Sequence, residues 1–503
     1  MIEVELPAVD LLIENRAQTL SIRGMPWYSR FGFVSAAQCA IMITCYVCFF
    51  AIGLLIILKG GCCAQDVGHH VHCTQMFMSD PAASFADDSN PDPVLLYAVS
   101  VPFVLLTGMN AHAFVFPTCV LFLLLNLTAI HFFFVIGQRL SKAPVASALA
   151  VSFLAILPVT ICSSVAYAPD ALTALPFATY VYAMLLIAEK SRGAAKNLGW
   201  LCALACVSLC IGGMAKYSFI AFLPACALIV VAIGWHTQYN IKQMLLIALT
   251  TLIVPALTIL AMPRHKFPLA YPPPPGAMSF SQYVPRSSDS NLLAAPTYWD
   301  AIRINGTAIL VDYQGQPDPH GRQGYSILVN DRYSYPALLT LAINTDVSCI
   351  AQGGAFPHWR EHRHDFNKRM QQWSMSLGCI SALALLFALA SAAVSLLRTL
   401  KRKDDSAART ELVSLLILAL PTCAFYCVVA LFLPFIVGAI YMGYWMPRLI
   451  YPSIFGFGII ALVGWVKLDA GLARWPKWRW TARVFWCTGI VAQTIVHALL
   501  LCT

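Results

Sequence analysis

Uncharged apolar runs long enough to cross a bilayer recur along this chain, as at residues 41–58 and 198–214. A helix rises about 1.5 Å per residue, so about 20 residues traverse the roughly 30 Å hydrocarbon layer. No water reaches the backbone there, which restricts spanning segments to helices and closed barrels. Runs of this length predict helices. Composition agrees: 59% of residues are hydrophobic and 11% charged, where soluble domains carry about 45–50% and about 25%. The expected fold is therefore an all-α polytopic membrane protein, with the lipid bilayer as its first partner. The formal charge of +9 does not imply nucleic acid, because the basic residues gather at the ends of apolar runs, where they report topology.

About eleven spans are predicted, near 36–58, 114–136, 144–164, 170–188, 198–214, 218–234, 243–262, 375–397, 412–437, 449–466 and 484–502. Arg16, Arg23 and Arg30 precede the first span and place the N-terminal segment, 1–35, in the cytoplasm. Counting from there puts Arg139, Lys190, Lys242, the basic run 398–409 and the segment 467–483 on the same side. The first apolar run carries no cleavage site and reads as a retained span. Spans one to seven form a module over 36–262 with a first outer loop at 59–113, and spans eight to eleven occupy 375–503. Within the first loop, 93–108 is short and flanked by proline, and is expected to lie along the membrane surface as an amphipathic helix. The outer segment 263–374 opens with four prolines at 272–275 and is long enough for a small mixed cap. It contains a formal glycosylation sequon at Asn305, a match frequent by chance. Most of the 18 cysteines lie in apolar runs, where a thiol is a small hydrophobe. Only Cys62, Cys63, Cys73 and Cys349 fall in outer segments that permit a disulfide.

Four polar clusters fall at the predicted outer ends of spans. The first is Gln65-Asp66-Val67-Gly68-His69-His70-Val71-His72. Asp66 is either a solvated loop acid or a partly desolvated carboxylate with a raised pKa, suited to general base work. In the second, Ala168-Pro169-Asp170-Ala171-Leu172, the aspartate taken alone reads better as a helix cap. The third, Gly213-Met214-Ala215-Lys216-Tyr217-Ser218, puts a lysine on the side opposite the positive-inside trend. The fourth, Met446-Pro447-Arg448-Leu449-Ile450-Tyr451-Pro452, does the same with an arginine. Two cations beside two carboxylates suit an anionic, phosphate-bearing group and a proton acceptor, although either cation could simply snorkel to the headgroups. His69 and His72, with His70, Cys73 and Asp66 nearby, offer ligands for a divalent metal such as zinc. Their spacing is no recognised zinc motif, and adjacent ligands rarely close a tetrahedron. A second His-rich patch, 358–364, reads as a headgroup contact or a solvated face.

The order of these clusters resembles the GT-C superfamily of polyprenol-phosphate-sugar glycosyltransferases, especially the protein mannosyltransferase and aminoarabinose transferase branch. Asp66-Val67-Gly68-His69 resembles the acidic motif that opens the family's first outer loop, and Asn90-Pro91-Asp92-Pro93-Val94-Leu95-Leu96-Tyr97 resembles its Pro-Pro-Leu-Tyr-Tyr stretch. Pro169-Asp170-Ala171-Leu172 reproduces a helix-opening Pro-Asp-Ala-Leu. Residues 213–224 are similar to the family's Gly…Thr-Lys-Tyr turn and following helix, and Arg448-Leu449-Ile450-Tyr451-Pro452 to its Arg-Tyr-Leu-Leu-Pro. Val67 stands where a second acid is usual, Asp92 interrupts the double proline, and no arginine opens span two. The resemblance implies a GT-C-like bundle with juxtamembrane helices and transfer of sugar from a polyprenyl-phosphate donor to a lipid, glycan or protein acceptor. It implies Asp66 as base, Lys216, Arg448 and Tyr217 at the lipid phosphate, and Asp170 at the sugar or acceptor pocket. Its bacterial style implies an inner membrane with the site on the periplasmic face. Two other classes fit the same topology, a secondary transporter or lipid flippase and a non-catalytic envelope subunit. One-sided clustering of the unusual charges favours chemistry at one membrane face over passage through it.

Overall fold

Length and composition single out, among the described residues, the helices that could each cross a bilayer. The computed structural model describes residues 32–58, 67–80, 94–189, 197–237, 239–261, 387–398, 400, 406–426, 451–484 and 487–488, and helix is the only regular structure among them. Among the described residues, eight helices are long and apolar enough to span. They are α1 (Ala36–Leu58), α4 (Ala111–Ser141), α7 (Ala174–Glu189) with the turn before it, α8 (Leu198–Ala215), α9 (Phe222–His236) with the turn before it, α10 (Ile241–Ala261), α12 (Ser406–Tyr426) and α13 (Tyr451–Gly471). The other helices, over the residues described, are α2 (Val67–Ser79), α3 (Leu95–Thr107), α5 (Pro144–Ala155), α6 (Pro158–Val165), α11 (Phe387–Arg398) and α14 (476–484). The chain is thus a polytopic, all-helical integral membrane protein over the described residues.

Two sequence expectations are corrected. The span expected at 144–164 is two helices, α5 and α6. Pro158 has no N–H for the carbonyl of Leu154, and it drives Leu157 into an extended conformation (ψ 135°). The Leu154 carbonyl instead accepts from Thr160 Oγ1 at 2.7 Å. The piece at 93–108 is not amphipathic. One side of α3 packs inward through Leu96, Tyr97, Ser100 and Val104, while Leu105 and Leu106 on its uncovered side are just as apolar. The expected second span, 114–136, lengthens to 111–141 in α4, which carries Arg139 past the apolar stretch. Segment 263–374, with its expected mixed cap, lies outside the described residues, as do Cys62, Cys63, Cys349 and most of 375–386 and 484–502.

The most enclosed span runs from Pro169 to Glu189, with 83% of its apolar window inside the protein. Around its helix α7 pack α4, α8 and α12, while α13 lies against α4, α5 and α12. C-terminal helices therefore complete the same bundle as the N-terminal ones. Lipid is as apolar as a leucine side chain, so shape rather than hydrophobicity must hold these contacts. Phe133 of α4 stacks on Phe455 of α13 with ring centroids 4.4 Å apart. Gly464 of α13 meets α11 so closely that an added Cβ would overlap the carbonyl of Ala388. Ion pairs Arg139–Glu189 and Lys467–Glu411 tie α4 to α7 and α13 to α12 at one end of the bundle.

Overpacking a close helix contact costs about 1–3 kcal/mol. Gly464→Ala is therefore expected to lower the melting temperature of the purified protein by several degrees. Gly471→Ala, which faces open space, should leave it unchanged. Equal melting curves would mean that the α11–α13 contact is not tight.

Candidate functional site

The polar residues singled out in the sequence come together at the opposite end of the bundle from those ion pairs. There α1 ends, α4 and α7 begin, α8 ends and α13 begins. Between α6 and α7 the chain leaves helix at Ala166, returns as a 3-10 turn over Pro169–Leu172, and then enters α7. Every residue from 166 to 174 is buried. Non-helical backbone this deep persists only where protein surrounds it.

Asp170 lies in that turn, and its side chain is 6% exposed. Its carboxylate accepts from the Nζ of Lys216, whose side chain is 13% exposed. Lys216 ends α8 with extended backbone (φ −156°, ψ 131°), and a second 3-10 turn, Tyr217–Ala221, follows it. The carbonyl of Asp170 is taken by Thr173, from Oγ1 at 2.6 Å and from N at 3.1 Å. Clusters two and three of the sequence, 46 positions apart at their charged residues, are thus one ion pair.

Cluster four reaches the same place through an amide. Asn126 of α4 donates to the carbonyl of Ala171 at 2.8 Å, and its Oδ1 accepts from the Tyr451 hydroxyl at 2.9 Å. Tyr451 opens α13 and also contacts Ser164 Oγ at 3.0 Å. Cluster one enters through α2, whose Thr74 Oγ1 lies 2.7 Å from the hydroxyl of Tyr167. Ser100 of α3 contacts that same hydroxyl at 2.8 Å. Thr74 and Ser100 also donate to the carbonyls of His70 and Leu96. Three hydroxyl protons therefore serve four contacts, and one is shared. Burial pushes the Tyr167 phenol up to about 12, opposed by its contacts with Ser100 and Thr74, so it keeps its proton at neutral pH.

Asp66 and Arg448 lie outside the described residues, as do the side chains of Tyr217 and His69. His72 is exposed on α2 and His70 is buried. Among the described residues no three His, Cys, Asp or Glu side chains come close enough to hold a metal ion. Reading the sequence missed Asn126, Tyr167 and the hydroxyls around them. Asn126 did carry a signal: it is an amide inside an apolar run, where a polar side chain must find a partner. Tyr167, Thr74 and Ser100 carried none, because each is ordinary in sequence. The chain matches no protein-family model and no curated protein sequence.

Two outcomes are expected. Removing one partner of a buried pair leaves a bare charge, at about 3–5 kcal/mol, while replacing both with apolar residues is often near neutral. Lys216→Met and Asp170→Leu should each destabilise strongly, and the double variant should recover most of the loss in thermal unfolding. Additive losses would mean the two do not interact. Tyr451→Phe strands Asn126 Oδ1 and should cost about 1–3 kcal/mol, with a smaller effect once Asn126→Leu is present.

Proposed function

We propose that this chain is a GT-C-type glycosyltransferase of about eleven spans. It moves a sugar from a polyprenyl-phosphate donor to a lipid, glycan or protein acceptor at one membrane face. The observation that carries the proposal is the buried Asp170–Lys216 pair. It joins two of the clusters that resemble GT-C motifs, and Asn126 and Tyr451 link it to the described end of a third. Sequences that resemble a motif by accident have no reason to meet.

In the reaction the acceptor hydroxyl or amine attacks the anomeric carbon. The bond from that carbon to the lipid phosphate breaks, the phosphate leaves with the electron pair, and Asp66 takes the acceptor's proton. One displacement inverts the anomeric centre. Charge grows on the departing phosphate, and cations already in place there lower the barrier without reorganising. Lys216 gives one ammonium proton to Asp170 and has two more to offer a phosphate oxygen. Asp170 then acts by orienting Lys216, and Arg448 and Tyr217 complete the phosphate contact. No step is routed through a metal. The reading places the N-terminus in the cytoplasm, the site on the periplasmic face of a bacterial inner membrane, and segment 263–374 above the site.

The test is sugar release from a panel of radiolabelled polyprenyl-phosphate sugars by purified protein, with water as a poor acceptor. Wild type should release sugar and Asp66→Asn should not. Lys216→Ala and Arg448→Ala, compared at equal folded fraction by gel filtration, should each fall by about a hundredfold. Unchanged turnover in both removes those cations from the site. Neither release nor binding of any donor would point to a transporter.

A further inference from the structure

At the end of the bundle away from Asp170, α13 runs into a 3-10 turn at Leu472–Arg474 and then α14. Trp475, Trp478 and Trp480 are 60%, 70% and 68% exposed. Five basic residues lie between 467 and 483 (Lys467, Arg474, Lys477, Arg479 and Arg483), and Asp469 is the one acid. Asp469 holds Arg479 at 2.7 Å and Arg483 at 2.6 Å, which fixes α14 against the end of α13. Lys467 is paired with Glu411. That leaves Arg474 and Lys477, both exposed, beside the tryptophans.

We propose that this corner binds the anionic phospholipid headgroups of the membrane that α13 crosses. Indole rings favour the headgroup layer, where one edge meets hydrocarbon and the N–H meets water. Each cation near an anionic surface adds attraction of about 1 kcal/mol. A flat amphipathic helix would gather its tryptophans on one side. Trp478 and Trp480 are two positions apart, about 200° round a helix, so they stand on opposite sides. A helix passing steeply through the headgroup layer presents rings all round, whereas a helix docked on a protein partner would cover one side only. Position decides in favour of lipid: α13 is a candidate span, and α14 is tied directly to its end.

The experiment uses the full chain in nanodiscs of equal phosphatidylglycerol and phosphatidylcholine, with one of the two brominated on the acyl chains near the headgroup. Twelve tryptophans fluoresce, so the signal is the difference between wild type and the triple variant Trp475→Phe, Trp478→Phe, Trp480→Phe. That component should be quenched by brominated lipid, more strongly by phosphatidylglycerol, and only weakly by aqueous iodide. Arg474→Gln with Lys477→Gln should abolish the preference, an expected loss of about tenfold or more in relative lipid affinity. Quenching by iodide and by neither lipid would overturn the proposal, as would equal quenching by both lipids in wild type.

Discussion

A carboxylate and an ammonium withdrawn from water as far as Asp170 and Lys216 each lose several kcal/mol of hydration, which only the partner and further hydrogen bonds can return. Neither residue sits in a regular helix. Asp170 occupies a 3-10 turn and Lys216 the extended end of α8. The pair therefore fixes two irregular pieces of backbone to each other, and the beginning of α7 and the end of α8 follow. Because α7 belongs to the most enclosed span, the helices packed on it inherit the same geometry. A buried ion pair is weak evidence for stability in itself.

The uncharged network around the pair obeys the same constraint by different means. With no water at hand, the carbonyl of Ala171 must find a donor, and Asn126 supplies it from α4. The amide oxygen left over takes Tyr451, so α13 joins by way of a group that α4 already needed. Tyr167 repeats the pattern with α2 and α3, one hydroxyl in contact with a hydroxyl from each helix. The segment that follows Asp66 in sequence is in this way tied to the turn that carries Asp170.

The helices were legible from sequence because the length of an apolar run reports the thickness of the bilayer. Their ends were less so. α4 continues to Ser141 through Gln138 and Arg139, since a helix need not stop where the hydrocarbon does. Pro158 announced a break, but an uninterrupted apolar count across 144–164 hid it. The charged positions of the site were legible as departures from topology rules, and their partnership was not. Nothing in a spacing of 46 residues says that Lys216 will meet Asp170. Hydroxyls such as Thr74 and Ser100 gave no warning at all, because serine and threonine in a membrane helix usually bond their own turn, and these two do that as well.

The break between α5 and α6 bears on the choice between an enzyme and a transporter. Transporters use interrupted helices to expose carbonyls to ions and helix N-termini to anionic substrates. Here the carbonyl that Pro158 would strand is taken by Thr160 Oγ1, and that of Leu157, which opens α6, accepts from the amides of Thr160 and Ile161 at 2.9 and 3.1 Å. Ser164, one turn further on, is turned toward Tyr451. Both carbonyls already have donors within the protein, while Ser163 Oγ in α6 is buried with no hydrogen-bond partner among the described residues. The break also brings α6 to the level where Ser164 can support Tyr451 and, through it, Asn126. The kink thus supports the end of the bundle that holds the Asp170–Lys216 ion pair.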